Sequence, residues 1–285
     1  MATLKQIRQR IRAAKNIQQI TKAMKLVAAA RLKKATDRVL EARPYADKLK
    51  DIMTSMSASG SLPAHPLLTK RDVNNVLVLV LTSDRGLAGA FNTSILRKAT
   101  DFFKSLNGKP LHLLTYGKKA NQFFGKRGYS IVDSYSAPSA GADLSDAVAI
   151  TRKAREMFET GQVDAVYVVY SKFISAIRQI PQVVQLLPIE APDTSEGALG
   201  GEVEFEPSAD VVLNTLLPRY FQTLVWQAML ESTASEFGAR MSAMTAATDN
   251  AGKMIHTLTL KANRERQAAI TKEILEVVGG AEALG

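Results

Sequence analysis

The residues best placed to do chemistry lie in LTSDRGLAGAFN, positions 81–92, where Ser83, Asp84 and Arg85 are followed by Gly86 and Gly89 at the end of an apolar run. A glycine-rich strand-to-helix turn lets backbone N–H groups approach a phosphate and seats it on a helix N-terminus. The dinucleotide pattern requires three glycines as GxGxxG with an acid about 20 residues on, and the P-loop requires GxxxxGK[ST]. Gly86-Leu-Ala-Gly89 meets neither requirement. The simpler reading is a tight turn in which Ser83 or Asp84 caps the next helix and Arg85 pairs with a nearby acid.

Other catalytic patterns are missing from the chain. His65, His112 and His256 are scattered singly, as surface or loop residues would be, and no HExxH, EF-hand or GxSxG pattern occurs. Asp143 and Asp146 are close enough for an acid pair, but at a helix start they serve the helix dipole. The absence of cysteine excludes disulfides, thiolate metal sites and thiol nucleophiles. No stretch approaches the roughly 20 apolar residues of a membrane span.

The elements that would hold these residues follow from composition and periodicity. Residues 1–50 carry 14 Lys or Arg against Asp37, Glu41 and Asp47, a local net of +11 in a chain whose total is +10. This basic start continues too far, and with too few hydroxyls, for a presequence. Residues 3–57 contain no glycine and one proline, Pro44, and are built of good helix formers, a rod of roughly 80 Å with a bend near Pro44. Leu4, Ile7, Ile11, Ala14, Ile17, Ile20, Met24 and Val27 are spaced as a narrow coiled-coil seam.

A Ser/Pro/Gly link over 58–72 leads to a different architecture. Segments 73–81, 110–116, 129–135 and 164–170 read as short buried strands. Helical stretches at 91–106, 118–127 and 143–160 separate them, so the sheet is mostly parallel and covered on both faces. Residues 171–189 add an edge hairpin, with Pro181 and Pro188 at edge positions, and 190–206 is a surface loop. A second rod starts near Ala209, is interrupted or bent at Pro218, and stops at Gly279-Gly280. Thirteen of the 20 residues from Ser232 to Ala251 are Ala, Ser, Thr or Gly, small enough for a close helix partner, and Ala28, Ala29 and Ala30 answer them. The expected fold class is α/β: a long antiparallel coiled coil of the N- and C-terminal helices (1–57 and 208–285) with an inserted Rossmann-like α/β domain (73–190).

Three stretches in order, IRQRIRAAKNIQQITKAMKLVAAARLKKA at 7–35, SDRGLAGAFN at 83–92 and RERQAAITKEILEVVGGAEAL at 264–284, resemble the gamma subunits of F-type ATP synthases over essentially the whole chain. The resemblance implies a non-catalytic rotor stalk of the soluble F1 head, present in one copy. The terminal helices would turn inside a ring of three alpha and three beta subunits, and the inserted foot would contact epsilon and the membrane ring of c subunits. ATP, ADP and magnesium would belong to alpha and beta, with no cofactor on this chain. By the same resemblance Lys22, Met24 and Lys25 face acidic lever elements of beta, and Arg266, Gln267, Thr271 and Glu273 meet the upper loops of the head. Asp84, Arg85, Gly86 and Gly89 would be the foot's signature loop. Ala88 departs from the cysteine that many relatives carry there, and the cysteine-bearing chloroplast insertion is missing, which points to a peripheral protein on the cytoplasmic side of a bacterial membrane. Two rival readings remain. A basic rod attracts RNA, although no aromatic residue for base stacking precedes Tyr45, and the glycine loop suggests a nucleotide enzyme.

Overall fold

The computed structural model describes residues 3–58, 65–190 and 209–282. Its main elements run α1 (Leu4–Ala58), β1 (Val76–Leu81), α2 (Phe91–Ser105), β2 (Leu111–Tyr116), α3 (Lys118–Gly125), β3 (Ser130–Tyr135), α4 (Leu144–Glu159), β4 (Ala165–Phe173), β5 (Gln179–Leu187) and α5 (Ala209–Glu282). The first residues of the 58–72 link, and the 190–206 loop beyond Glu190, lie outside the described residues. Two compact units emerge, residues 1–28 with 241–285 and residues 29–240.

The larger unit contains one five-stranded sheet of order β3-β2-β1-β4-β5. The first four strands are mutually parallel, and β5 returns antiparallel to β4 as the expected hairpin. β1 is central and buried throughout, so its alternating side chains divide between two cores. Val76, Val78 and Val80 pack with Phe91, Ile95, Ala99 and Phe103 of α2 and Phe124 of α3. Leu77, Leu79 and Leu81 pack with Ile150, Ala154 and Phe158 of α4, Met53 and Met56 of α1, and Leu217, Phe221, Val225 and Met229 of α5. Thus the sheet is covered on both faces, and one cover is made by the long helices themselves.

Two helix breaks expected from sequence do not occur. Pro218 lies inside a single α5, because Leu213, Leu217, Tyr220 and Phe221 are buried around it. At about 1.5–3 kcal/mol per large apolar side chain their burial outweighs the roughly 3 kcal/mol cost of a helical proline. Gly279 and Gly280 do not stop α5, which continues to Glu282. Glycine costs a helix only about 1 kcal/mol and ends one chiefly where the chain turns left-handed.

The seam is also placed differently. Buried and half-buried positions along α1 alternate steps of four and three through Ile7, Ile11, Ala14, Gln18, Thr21, Lys25 and Ala28, the 3.5-residue period of a coiled coil. The pattern inferred from apolar residues agrees as far as Ala14 and then drifts outward, since Ile17, Ile20 and Val27 are 53%, 59% and 52% exposed. In the smaller unit Thr248 Oγ1 lies 2.8 Å from Thr21 Oγ1, and a Cβ on Gly252 would stand 3.1 Å from Gln18 Nε2. Ascending α5 therefore meets descending α1, an antiparallel pair whose contact layer is small and partly polar. In the larger unit Arg31 stacks on Phe237 and Arg38 on Trp226 in the same antiparallel sense.

Gly117, which joins β2 to α3, has φ 92°, and any Cβ there would collide with the Thr82 carbonyl. We expect Gly117→Ala to cost more than about 2 kcal/mol of stability, combining backbone strain with the collision, as read by urea unfolding of the full chain.

Candidate functional site

In a doubly wound sheet, ligands bind in the crevice outside the carboxyl ends of the strands. Here that ground is bordered by Thr82 after β1, Tyr116 at the end of β2 and Ala137 after β3. Met229, Ser232, Thr233 and Glu236 of α5 lie across it, leaving a cavity of about 10 Å³. A nucleotide site would need hundreds of cubic ångströms. The helix fills the place that the glycine loop advertises.

The loop itself is held by polar contacts other than those expected. Ser83 N donates to Asn92 Oδ1 (3.0 Å), Ser83 Oγ to the Arg85 carbonyl (2.7 Å), and Asn92 Nδ2 to Ser83 Oγ (2.9 Å). The N-cap position of α2 is Ala90, which makes no side-chain cap bond, so neither Ser83 nor Asp84 caps that helix. Asp84 Oδ1 instead accepts from Lys118 N at the start of α3 (2.8 Å) and from Ala137 N (3.0 Å). Its carboxylate thereby occupies N–H donors of the kind a phosphate would seek.

Leu87 adopts φ 62° and Gly89 φ 55°, which turns the chain into α2 and leaves Leu87 66% exposed. A Cβ on Gly86 would meet nothing within 4 Å. Arg85 is exposed and forms no ion pair among the described residues. The pairing arginine is Arg240, whose Nη1 lies 2.7 Å from Glu236 Oε1 and whose Nη2 donates to the Gly86 carbonyl at 3.3 Å. Burial raises the Glu236 pKa and the neighbouring Arg240 opposes that rise. Residues 236 and 240 were not singled out from sequence, although their i,i+4 spacing on a helix is a readable signal.

Asp143 is the N-cap of α4, accepting from Ser145 N and Oγ, both at 3.0 Å, and these bonds lower its pKa. Asp146 occupies the first turn, where burial and then Asp143 raise its pKa. The pair serves the helix start, as its position in the sequence implied. His65 caps a short 3-10 turn by accepting from Leu67 N (3.1 Å), His112 belongs to β2 rather than to a loop, and His256 is exposed on α5. Among the described residues no cluster of three or more His, Asp or Glu is arranged to hold a metal, and no helix is long and apolar enough to cross a membrane.

The remaining sequence-derived site residues lie on the terminal helices. On α1, Lys22 is exposed while Met24 and Lys25 are half-buried. On α5, Arg266, Gln267, Thr271 and Glu273 are all exposed, with Thr271 Oγ1 bonded back to the Gln267 carbonyl (2.9 Å). From Arg266 to Gly279 every residue is exposed, so this end of α5 finds no cover within the described chain.

Fold and site together define a coiled-coil protein whose inserted Rossmann-like domain has its ligand crevice plugged from within. The ATP synthase family profile matches residues 3–284. The chain is 46% identical over 286 residues to the ATP synthase gamma chain of Desulforamulus reducens, covering 100% of both chains. It is 46% identical to that of Brevibacillus brevis over 98% of each. Among solved structures it resembles a chain of the Tetrahymena thermophila mitochondrial ATP synthase central stalk and c-ring, with TM-score 0.62 and 26% identity over 80% of this chain and 99% of that one. A chain of the Euglena gracilis mitochondrial enzyme shares the fold at TM-score 0.69 and 18% identity, covering 99% and 94%. The chain belongs to the ATP synthase gamma chain family.

Two outcomes test the site geometry. Asp84→Ala should cost about 1–3 kcal/mol by removing the charged acceptor shared by two backbone N–H groups, measured by urea unfolding. Glu231, 4% exposed, has its pKa raised by burial against the opposing influence of Gln227, Lys172 and Arg43. The native chain therefore binds this proton more tightly than the unfolded chain does. Stability is lost as pH rises from the ordinary glutamate value through the raised one. Thermal midpoints of Glu231→Gln should accordingly vary less with pH, the wild type gaining on the variant as pH falls toward the ordinary glutamate range.

Proposed function

We propose that this chain is the central rotor shaft of the F1 part of an F-type ATP synthase, coupling ion flow through the membrane c-ring to ATP synthesis and hydrolysis on its alpha and beta partners. The observation that carries the reading is full-length membership of the gamma chain family together with an antiparallel pair of terminal helices. The chain is non-catalytic and binds no nucleotide of its own, a reading supported by the filling of the crevice by α5 and the use of loop donors by Asp84. One copy serves three alpha and three beta subunits, with epsilon and the c-ring on the inserted domain, at the cytoplasmic face of a bacterial membrane.

In this reading Lys22, Met24 and Lys25 meet the acidic lever of beta, and Arg266, Gln267, Thr271 and Glu273 meet the upper loops of the head. A turning shaft needs contacts that guide without trapping, and exposed ion pairs worth about 1 kcal/mol or less are suited to that. The exposure of α5 from Arg266 onward supports a partner-covered end.

Co-purification with alpha and beta, followed by single-molecule observation of rotation, tests the proposal. Lys25→Glu should lower coupling efficiency more than hydrolysis, and deletion of residues 266–285 should weaken coupling by degrees. Prolines placed between 20 and 30 should impair assembly or rotation. Unchanged synthesis and hydrolysis after all three changes would sink it, as would failure to join alpha and beta alongside salt-dependent RNA binding.

A further inference from the structure

The cavity left between the strand ends and α5 is bordered by polar groups, and one of them is stranded. Tyr116 is 4% exposed, lines the cavity, and its phenolic oxygen has no hydrogen-bond partner. A buried hydroxyl left unpaired costs about 1–3 kcal/mol, and native proteins rarely tolerate it. Burial raises the Tyr116 pKa, with Asp146, Glu236, Asp84 and Asp143 adding to the rise, so the group is a proton donor throughout the neutral range.

Two of the other three hydroxyls lining the cavity, those of Thr82 and Thr233, are already committed, and the third, Ser232, is buried without a hydrogen bond among the described residues. Thr82 Oγ1 donates to the Tyr116 carbonyl (3.1 Å) and accepts from Ala120 N (2.9 Å), and Thr233 Oγ1 donates to the Met229 carbonyl (2.8 Å). Glu236 also lines the cavity, and its carboxylate has acceptor capacity beyond the one contact to Arg240. The volume, about 10 Å³, is on the order of what one buried water requires, and such a water needs two to four polar partners.

We propose that a single water molecule is bound in this cavity, accepting from Tyr116 and donating to Glu236, and that it is a fixed part of the fold. The water completes a polar chain from the end of β2 through Glu236 and Arg240 to the Gly86 carbonyl, which positions the glycine loop against α5.

A high-resolution crystal structure of the full chain tests the site directly. One ordered water within about 3.2 Å of both Tyr116 Oη and Glu236 is expected. An empty cavity, a bound cation with shorter coordination distances, or a direct contact between Tyr116 and the carboxylate would each overturn the proposal. In Tyr116→Phe the water should be lost and the thermal midpoint lowered by about 2–4 °C, and retention of the water in that variant would remove Tyr116 from the site. Should the variant fail to fold, the wild-type structure alone decides.

Discussion

The packing of α5 across the carboxyl ends of the strands is the contact on which the larger unit depends. Residues Leu213 to Met229 supply one wall of the core, and the segment from Ser232 to Arg240 closes the crevice above Thr82 and Tyr116. Without that helix the leucine face of β1 would lie open on one side, and a parallel sheet is not stable with a bare apolar face. The same contact leaves only about 10 Å³ in the crevice at the carboxyl ends of the strands, the place associated with ligand binding in this architecture. Fold and function separate here in the way that grafted sites allow.

Close approach depends on small residues, and the chain places them where two elements must nearly touch. Gly238 lies under the β4–β5 hairpin, where an added Cβ would stand 3.0 Å from the Ala176 carbonyl. Ser235, three residues earlier, donates to the Ser171 carbonyl at 2.8 Å. Hairpin and helix are thus joined by backbone-scale contacts rather than by large side chains. The cost of so much Ala, Ser, Thr and Gly is a thin contact layer, offset by the aromatic and aliphatic burial lower in the same helix, around Phe221 and Val225.

Much of this was legible in the residues. Strand and helix positions followed from apolar runs and their spacing, and the departures, of up to three residues, fall at element ends. The two glycines of the loop correctly marked a strand-to-helix turn. The partners of the loop were not legible, since Asp84 reaches Lys118 and Ala137, and Arg240 reaches Gly86, across long separations in sequence. The coiled-coil seam misled because hydrophobicity was followed where size mattered. Gln18 and Thr21 take the inner positions, and Ile17 and Ile20 beside them do not. Proline and glycine were over-read as breaks, since local propensity yields to the burial of a long helix.

Those displaced side chains leave the smaller unit with Ile17, Ile20, Leu26 and Val27 facing outward, each more than half exposed. Apolar contact is non-directional and scales with area rather than with alignment. Any partner surface that covers them gains about 25 cal/mol for each Å² of apolar area taken from water.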